Sequence, residues 1–506
     1  MIRFSPNPNQ ANLIRWHEWG DEAFRKAREQ DKPLVLFLTA FWCRYCQRMD
    51  EEAFSDNENI ALLNAYFISI RADDAQRPDV NTRYNLNGWP TIAFMSPEGN
   101  LLAATNYLPK DQFGDVLIRV YMTYQEKKNE IRAAKAASQN SSKETAAPMS
   151  RQPIHGGAVE QISDGIMKLA DPVHGGYGGG QKFIHPEAND FLLARYEATN
   201  DSTYLNQARL TLDRMREGSI HDRENEGYFR TTSSADWSRP HREKLLAEQG
   251  GLLANCVRVF RITKETVYAG MAEGIIDYLD RKLSEPSRGI FFGCEDFLRV
   301  ENAPSEREEF FTIIDRCIYT DANAQAIVAY LEAAASLGKI DLQGRALKAL
   351  EFLWEHCRSE SGEMFHYFDG APHLEGMLND QTRMGIALTC AYRSSGEAKH
   401  LERAKDLGEF VLAKLKNPGG GYYDIPVEGI GYLGLRLTLI DQNGTAALFF
   451  LNLAEATKEH RYLEAAEWAL SAFQGDFSSY DIHAASFGQA LIAWRRYENV
   501  FKTRQA

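Results

Sequence analysis

Apolar and polar positions follow two different periods over residues 1–125. The segment "DEAFRKAREQ" (21–30) places its apolar residues at helical spacing, whereas "KPLVLFLTA" (32–40) is an apolar run of strand length. Farther on, "AYFISIRAD" is typical of a strand, and "GWPTIAFMSPEGNLLAAT" is typical of two strands around a Pro-Glu-Gly-Asn turn. This alternation predicts a small α/β domain over residues 1–125.

Residues 126–153 differ in composition from the segments on either side. They end a charged helical pattern and become rich in Ala, Ser, Lys and Glu, with no aromatic residue. Such a segment has too little apolar surface to form a core. We therefore predict a mobile linker over residues 126–153, followed by a second domain over residues 154–506.

The pattern of residues 154–506 is helical, and its loops repeat. Glycine-aromatic loops recur as "GGYGGG", "EGYFR", "GIFFG", "GEMFHYF" and "GGGYYD", and two helical segments joined by a short polar turn lie between consecutive loops. About twelve helical segments result, and the first and last of them can pair with each other. The chain is thus predicted to be multidomain, with a closed all-α toroid of six helical hairpins, an (α/α)6 fold, after the α/β domain.

The two helices of each predicted hairpin differ in composition. The helix after a glycine-aromatic loop is rich in Ala and small polar residues on all sides, as in "DANAQAIVAYLEAA". Its partner, such as "LERAKDLGEFVLAKL", has one apolar stripe and one charged face. We interpret the first set as an inner ring and the second as an outer ring. The inner helices then begin at one mouth of the toroid, where their N–H groups and positive dipole ends are available.

Composition and charge exclude several classes of function. The chain is 44% hydrophobic and 25% charged, as globular proteins are, and its net charge is −13. An acidic protein without a basic patch repels nucleic-acid phosphates and anionic bilayers, so we expect neither as a partner. The N-terminal segment lacks the apolar core of a signal peptide, and no uncharged apolar run approaches about 18 residues. We therefore expect a cytoplasmic protein.

Two of the seven cysteines are three positions apart and carry the strongest chemical signal. Cys43 and Cys46 are predicted to open a helix, where the dipole together with Arg44 and Arg48 would stabilise a thiolate. Cys43 is therefore predicted as the nucleophile and Cys46 as the resolving thiol. The other cysteines have mostly apolar neighbours and are interpreted as buried free thiols: Cys256, Cys294, Cys317, Cys357 and Cys390.

Two other interpretations of the cysteine pair stay open on the residues alone. A structural metal site needs four ligands, and the sequence has no second CxxC or HxxxH pair to complete one. Two unreactive buried cysteines would also produce a lone CxxC motif. We predict no metal ion and no cofactor for this protein.

The order of elements around the cysteine pair resembles the thioredoxin fold. A strand, the motif "WCRYC", a helix, a second strand and an isolated "GWPT" follow one another as in that fold. The resemblance implies that Trp42 flanks the dithiol and that Pro90, if cis, packs against it and presents backbone to an extended substrate. Two residues depart from the thioredoxin pattern. Phe37 stands where thioredoxins bury an acid that assists the resolving thiol, and Trp89 is bulkier than the usual residue before the proline.

A second resemblance spans nearly the whole chain. The segments "WCRYCQRMDEEAFSD", "GWPTIAFMSPEGN", "GGYGGGQKFIHP" and "DWSRPHREKLL" are similar, in the same order, to motifs of the spermatogenesis-associated-protein-20 family. The resemblance implies a thioredoxin-like domain of the DUF255 type joined to an (α/α)6 toroid akin to sugar epimerases and glycosidases. "CRYC" lacks the His that is usual inside this family's dithiol motif, so the chain is identified as a divergent member.

Polar and aromatic residues cluster where the inner helices are predicted to begin. Carboxylates and amides that bind hydroxyls, with aromatic faces that stack on sugar rings, are typical of carbohydrate sites. The "RPHREK" segment makes His241 and Glu243 the best candidates for proton transfer. Asp321, Asp441 and Asn443 are also typical N-caps, which is the alternative interpretation of these residues. The candidate pocket residues are Tyr177, Glu187, Tyr228, Arg230, His241, Glu243, Asp321, Asn323, Asp380, Asp441 and Asn443.

These observations favour one function and leave two others open. The leading prediction is a thiol-disulfide oxidoreductase that acts on a protein disulfide or thiol through Cys43 and Cys46. One alternative is a sugar epimerase, isomerase or glycosidase in the toroid, with a carbohydrate ligand and a regulatory dithiol. The other is a binding scaffold without enzymatic activity.

Overall fold

The chain divides into two units in the computed structural model, which describes residues 2–145, 154, 156–299, 310–473, 475 and 477–505. Unit 1 consists of Met1–Pro148 and Val427–Arg436, and unit 2 consists of Met149–Pro426 and Leu437–Ala506. Within the described ranges, no helix combines the length and the apolarity needed to cross a bilayer.

The described residues of unit 1 form five α-helices and a five-stranded sheet. The strands are β1 Trp16–His17, β2 Leu34–Thr39, β3 Ile68–Asp73, β4 Thr91–Met95 and β5 Leu101–Thr105, and the helices are α1 Asp21–Gln30, α2 Arg44–Glu51, α3 Asn57–Tyr66, α4 Pro78–Tyr84 and α5 Lys110–Thr145. The strand order is β1-β3-β2-β4-β5, with β3 parallel to β1 and β2, and with β4 antiparallel to both β2 and β5. The α/β domain predicted from the alternating pattern is confirmed.

Helices cover both faces of this sheet. Every residue of β2 and β3 is buried, as expected for apolar strands between two layers of helices. Phe37, Phe54 and Phe113 belong to the core on one face, which also includes residues of α2 and α3. Leu36 and Phe24 belong to the core on the other face, with residues of α1 and α4. The helix that carries the cysteine pair is therefore anchored in a continuous apolar core.

Helix α5 extends into the predicted linker. Residues 126–145 continue this helix, because the segment is rich in Lys, Ala and Glu, which are strong helix formers. The rest of the predicted linker, residues 146–153, lies outside the described residues. The linker prediction thus gave too little weight to helix propensity in its first part.

A short segment from late in the sequence, Val427–Arg436, also belongs to unit 1. It contains a 3-10 turn at Gly431–Gly434 that packs against α4. The N–H of Tyr432 donates to the Oη of Tyr84 at 2.8 Å, and Leu433 is buried in the core beside α1. The continuous domains predicted from the sequence do not include this excursion of the chain.

The described residues of unit 2 form twelve α-helices. They are α6 Ala158–Leu169, α7 Pro186–Thr199, α8 Ser202–Glu217, α9 Leu246–Thr263, α10 Thr266–Lys282, α11 Thr320–Leu337, α12 Ile340–His356, α13 Leu378–Ser395, α14 Ala398–Phe410, α15 Ile440–Thr457, α16 His460–Leu470 and α17 Ala485–Gln505. A π-helical segment, Val411–Leu415, continues α14.

The twelve helices form a closed double ring. The inner helices α7, α9, α11, α13, α15 and α17 contact one another in this order, and α17 also contacts α7. Each inner helix packs against an outer partner, and the partner of α17 is the first helix, α6. The predicted (α/α)6 toroid, including the pairing of its first and last helices, is confirmed.

Close packing between inner helices explains their small residues. A Cβ added at Gly385 of α13 would collide with the ring of Phe449 on α15. A Cβ added at Gly444 of α15 would collide with the backbone of Phe487 on α17. Interiors packed this densely leave no room for a side chain at these contacts.

Short strands lie in the loops that precede the inner helices. They are β6 Lys182–Phe183, β7 Thr231–Thr232, β8 Pro240–His241, β9 Glu243–Leu245, β10 Ser284–Glu285, β11 Ile290–Phe291, β12 Cys294–Arg299, β13 Phe310–Asp315, β14 Ile318–Tyr319, β15 Phe365–Phe368 and β16 Pro372–Glu375.

One repeated device fixes the glycine-rich loops. In four of the six inner helices, the fourth residue is a buried Asn or Gln that accepts from the N–H of a loop residue and donates to the carbonyl of the same residue. Asn443 clamps Tyr422 in this way, at 2.7 Å and 3.0 Å. The same clamp joins Gln249 to Tyr228, Asn323 to Phe291, and Gln381 to Met364.

Candidate functional site

The cysteine pair lies at the start of α2. Cys43 is the N-cap of this helix, and its Sγ accepts from the N–H of Cys46 at 3.1 Å. The two sulfurs are joined in a disulfide, with Cα atoms 5.2 Å apart. Cys43 is 5% exposed and Cys46 is 1% exposed, so Cys43 is the more accessible of the two.

Partly exposed aromatic side chains flank the disulfide. The rings of Trp42 and Trp89 meet edge to face with centroids 5.3 Å apart, and the Trp89–Pro90 peptide bond is cis, as the resemblance implied. Tyr45 is 54% exposed and packs against Tyr107, with centroids 5.2 Å apart. Trp42, Trp89 and Tyr107 pack against the core that contains both cysteines. This side of unit 1 therefore combines the disulfide with an apolar surface.

The two arginines near the cysteines are paired with carboxylates. Nη1 of Arg44 lies 3.7 Å from Oε1 of Glu51, and Nε of Arg48 donates to Glu52 at 2.7 Å. These carboxylates offset the positive charge that the sequence places near Cys43. The helix N-terminus itself, with its N–H groups and positive dipole end, remains to stabilise a thiolate there.

A buried ion pair joins α2, the helix that begins at the disulfide, to the sheet. Asp50 of α2 accepts two hydrogen bonds from Arg71 of β3, at 2.7 Å and 2.8 Å, and one from the N–H of Ser5 at 2.8 Å. The guanidinium of Arg71 also lies 4.8 Å from the ring centroid of Phe37, the residue that stands where thioredoxins bury an acid. The carboxylate of Asp50 is thus occupied by structural partners. It ties the dithiol helix to the sheet.

In unit 2, a cavity of about 280 Å³ lies where four inner helices begin. Small ligand sites have volumes from about 300 Å³ upward, so this cavity suits a ligand at the small end of that range. Its walls come from the starts of α7, α13, α15 and α17, and are mostly polar. The lining residues are His185, Glu187, Ala188, Asn379, Arg383, Asp441, Gln442, Thr445, Ile482, His483 and Ser486.

Two histidines line this cavity and differ in exposure. His185 is partly buried beside Tyr177, with ring centroids 6.0 Å apart, whereas His483 is exposed. Burial, and then the nearby His483, lower the pKa of His185 from 6.5 to about 4. His185 is therefore a neutral imidazole at neutral pH and is available to accept a proton from a ligand.

A cation and an unpartnered amide oxygen also line the cavity. Arg383 of α13 donates to Oε1 of Gln325 at 2.8 Å, and its Nη2 lies 3.9 Å from Oε1 of Glu187. Oε1 of Gln442 is buried and has no hydrogen-bond partner among the described residues. A buried acceptor without a partner costs free energy until a donor reaches it. These groups suit a ligand that carries hydroxyls.

The predicted pocket residues do not all meet in this cavity. Glu187 and Asp441 line it. His241 is exposed on β8 and is not among its lining residues. Asp321 and Asp380 instead form a cluster with His366. The residues predicted for one pocket therefore divide between this cavity and groups outside its lining.

Arg230 and Glu243 form an ion pair, with Nη2 and Oε1 2.7 Å apart and side chains 14% and 7% exposed. Near them, Oε2 of Glu248 is buried and has no hydrogen-bond partner within the described parts of the chain. Burial raises the pKa of Glu248 well above its usual range, with a smaller opposing effect from Arg230.

Four of the predicted pocket residues have structural roles instead. Tyr177 and Tyr228 are 4% and 1% exposed, and the hydroxyl of Tyr177 donates to Asn189 at 2.8 Å. Asn323 and Asn443 are both 0% exposed and act as the loop clamps of α11 and α15. Loops of this kind have backbone groups that need buried partners, which the pocket prediction did not consider.

The cluster of Asp321, His366 and Asp380 brings together side chains from α11, β15 and α13. Nδ1 of His366 lies 3.0 Å and 3.1 Å from the two carboxylate oxygens of Asp380. Asn379, which lines the cavity, donates to Oδ2 of Asp321 at 2.8 Å. Burial raises the pKa of Asp380 to about 6; His366 opposes this shift and Asp321 adds to it.

The polar cavity residues that the sequence-based prediction missed include His185, Asn379, Arg383 and Gln442. His185 directly precedes the proline that opens α7, within a motif already noted for its glycines. Asn379 and Arg383 are four positions apart, so they share one face of α13, a spacing that the sequence does contain. The sequence gives no comparable spacing signal for Gln442. It directly precedes Asn443, whose side chain faces the loop.

Residues 7–142 match the family model Thioredox_DsbH, described as "Protein of unknown function, DUF255". Human spermatogenesis-associated protein 20 is 30% identical over 322 residues, which are 58% of this chain and 40% of the human protein. The match thus spans less than half the length of that relative. The thiol:disulfide interchange protein DsbD of Yersinia pestis is 32% identical over 96 residues, which are 17% of this chain and 16% of DsbD.

The toroid fold has counterparts among solved structures. Cellobiose 2-epimerase from Bacillus thermoamylovorans B4167 is similar with a TM-score of 0.53 and 14% identity, over 65% of this chain and 95% of the epimerase. At this identity the likeness concerns the fold alone. Fold and sequence together define a thioredoxin-like domain joined to a six-hairpin toroid. Within that class, the chain is similar in sequence to spermatogenesis-associated protein 20, in agreement with the resemblance seen in its motifs.

Proposed function

We propose that this protein carries out thiol-disulfide exchange through Cys43 and Cys46. The observation that carries the proposal is the disulfide between them at the N-terminus of α2, in a core against which Trp42 and Trp89 pack. The similarity of 96 residues to the thiol:disulfide interchange protein DsbD supports it. Cys43 is the nucleophile, because it caps the helix and is the more exposed sulfur.

In the reducing direction, the Cys43 thiolate attacks one sulfur of a client disulfide, and the other client sulfur leaves as a thiolate. Cys43 and the client are then joined in a mixed disulfide. The Cys46 thiolate attacks Sγ of Cys43, which releases the second client sulfur and closes the Cys43–Cys46 disulfide. Two electrons pass to the client, and its two thiolates take up the two protons that the dithiol lost.

The surroundings of the disulfide favour a specific protein client over general reduction. Cys43 is only 5% exposed, so an attacking or attacked sulfur must approach along one direction. The aromatic side chains of Trp42, Trp89 and Tyr45 offer apolar contacts to the client segment. Asp50 is bound by Arg71, so it does not assist the resolving thiol as a free carboxylate.

Trapping of mixed disulfides tests this proposal. In Cys46→Ser, Cys43 can still attack the disulfide of oxidised glutathione, which releases one glutathione thiolate, but no thiol resolves the product, so we expect the other glutathione to remain attached to Cys43 as a mixed disulfide. Mass spectrometry after a non-reducing digest locates the adduct. Cys390→Ser, which removes a partly exposed free thiol, is the matched control and should keep wild-type behaviour. If Cys46→Ser forms no adduct while folded but forms one when denatured, the disulfide is structural and the proposal fails.

A second function is favoured by the cavity of unit 2, where we propose proton transfer on a small polyhydroxylated ligand. The neutral imidazole of His185 and the second histidine, His483, line the same space. A group that accepts a proton and a second group that returns one are the minimum for epimerisation or isomerisation. Arg383 and the unpartnered oxygen of Gln442 would bind hydroxyls. The cavity lies at the starts of inner helices of an epimerase-like fold.

Ligand-induced stabilisation tests the second function. We expect a neutral mono- or disaccharide to raise the thermal midpoint of the full chain, and Gln442→Ala to remove the shift while leaving the unliganded midpoint unchanged. His185→Asn should keep the binding shift and lose solvent exchange of a ligand C–H proton, followed by NMR in deuterated water. A panel of sugars that produces no shift in the wild-type protein would contradict this function.

A further inference from the structure

We propose that Asp321, His366 and Asp380 form a binding site for one divalent transition-metal ion in the wall of the toroid. Each residue offers one ligand atom, and these atoms lie within 4.8 Å of one another. Three different elements supply them, so the fold itself brings the three side chains together. The site depends on neither of the functions proposed for the protein.

The spacing of the donor atoms fits a metal ion. Nδ1 of His366 is 3.0 Å from Oδ1 of Asp380. Around a tetrahedral ion with bonds of about 2.0–2.2 Å, neighbouring ligand atoms are about 3.3–3.6 Å apart. The pair therefore already has nearly the required separation. Asp321 completes the set after a movement of at most about 1.5 Å, which a partly exposed side chain can make.

Charge is the second observation that points to a cation. His366 and Asp380 are 5% and 0% exposed, and Asp321 places a second carboxylate beside them. Among the described residues, neither carboxylate forms an ion pair with a lysine or arginine. A protonated imidazole balances only one of the two negative charges. A divalent ion with a neutral imidazole balances both, which removes the cost of a buried uncompensated charge.

The surroundings orient Asp321 as metal sites usually orient their ligands. Its Oδ2 accepts from Nδ2 of Asn379 at 2.8 Å, and its Oδ1 accepts from the N–H of Ala322 at 2.7 Å. Outer partners of this kind hold a ligand in position. Asn379 also lines the cavity of unit 2, so an ion at this site would lie at its border.

The donor set indicates which ions to test. Imidazole is a preferred donor for Zn²⁺, whereas two carboxylates also suit Mn²⁺. Mg²⁺ is a poor candidate, because it prefers oxygen ligands and dehydrates reluctantly. Three protein ligands leave one position of a tetrahedral ion for water or a ligand, as in zinc sites that act on bound molecules.

Equilibrium dialysis of the full chain tests the proposal. The protein is freed of metal with a chelator, kept in its Cys43–Cys46 disulfide form, and dialysed against Zn²⁺, Mn²⁺ or Mg²⁺ before elemental analysis. Cys390→Ser is the background, so that an accessible thiol does not bind zinc. We expect one equivalent of Zn²⁺, weaker retention of Mn²⁺ and none of Mg²⁺.

Variants separate this site from adventitious binding. Asn379→Ala removes an outer partner and should weaken zinc binding about 10- to 100-fold, and Asp380→Asn should weaken it further. His373→Ala on the neighbouring strand β16 is the matched control, because His373 is partly exposed and outside the cluster, and it should bind zinc as the wild type does. If Asp380→Asn does not fold, Asp321→Asn provides the same test at a partly exposed position. Absence of zinc binding, or binding that persists in both Asp380→Asn and Asp321→Asn, would overturn the proposal.

Discussion

The two candidate sites use their polar side chains in opposite ways. Below the disulfide, the side chains of Arg71 and Asp50 are 4% and 1% exposed, and both carboxylate oxygens are bound. In the toroid cavity, the side chains of Arg383 and Glu187 are 25% and 44% exposed and 3.9 Å apart. Oε1 of Gln442 there has no partner among the described residues.

This difference shows where each unit keeps its chemistry. In unit 1, the buried ion pair of Arg71 and Asp50 holds α2 on the sheet. The two sulfurs then remain as the reactive groups of this site. In unit 2, the Asn and Gln amides at the starts of the inner helices bind the loops. Other polar groups near these helix starts line the cavity and are available to a ligand. Substitutions should therefore affect stability in the first region and ligand binding in the second.

The largest expected effect is the loss of the buried ion pair. Arg71→Met leaves Asp50 as a buried charge without its partner and should lower the free energy of unfolding by about 3–5 kcal/mol. Arg383→Met, the matched change in the cavity, should lower it by less than about 1 kcal/mol. Calorimetry of both full-length variants measures the two effects. Equal losses in the free energy of unfolding would contradict the proposed difference between the two regions.

Two neighbouring residues on α15 separate loop fixing from ligand binding. Asn443→Ala leaves the N–H and carbonyl of Tyr422 buried without partners, and should destabilise the protein by about 1–3 kcal/mol for each group. Gln442→Ala removes an unpartnered oxygen and should leave the unfolding midpoint almost unchanged. Chemical denaturation compares the two variants. A greater loss for Gln442→Ala would contradict both assignments.

A pH titration tests the burial of His185. Its pKa is lowered from 6.5 to about 4 in the folded protein, so between these values the unfolded chain binds a proton that the folded chain does not. Stability should therefore fall as the pH falls, by about 2 kcal/mol at pH 5 relative to pH 7 from this residue. His185→Phe should remove that part of the pH dependence. An identical pH profile in the variant would contradict the burial of a neutral imidazole.

The smallest expected effect concerns the charges beside the disulfide. Glu52→Gln frees Arg48 from its ion pair and should stabilise the Cys43 thiolate. Because exposed ion pairs are worth about 0.2–1 kcal/mol, alkylation of reduced Cys43 at pH 7 should become faster by less than about fivefold. Glu29→Gln, which breaks the exposed pair with Arg25 elsewhere in unit 1, is the control and should not change this rate.

Repeated patterns made the fold predictable. The glycine-aromatic loops and the small residues of the inner helices predict the toroid, because both result from packing a helix on all sides. The order of strand, cysteine pair and "GWPT" likewise predicts unit 1. The segment Val427–Arg436 was not predictable, since its contact with Tyr84 joins positions far apart in the chain and leaves no periodic signal.

The toroid site was predicted less well than the cysteine pair. Cys43 and Cys46 are neighbours in sequence, so their contact follows from helix geometry alone. Glu187 and Asp441 line the cavity, whereas Asn443, which was assigned to the same pocket, clamps a loop. The residue type at a helix start does not reveal whether its side chain faces the loop or the cavity. That choice depends on helix rotation, which only the packed ring determines.

A redox titration of Cys43 and Cys46 tests the central claim most directly. The protein is equilibrated with glutathione buffers, and the free thiols are alkylated and counted by mass spectrometry. Exchange with clients requires a reversible two-electron transition at a potential between about −270 and −120 mV, the range of proteins that exchange disulfides. A pair that stays oxidised below about −300 mV would be a structural disulfide and would contradict the claim.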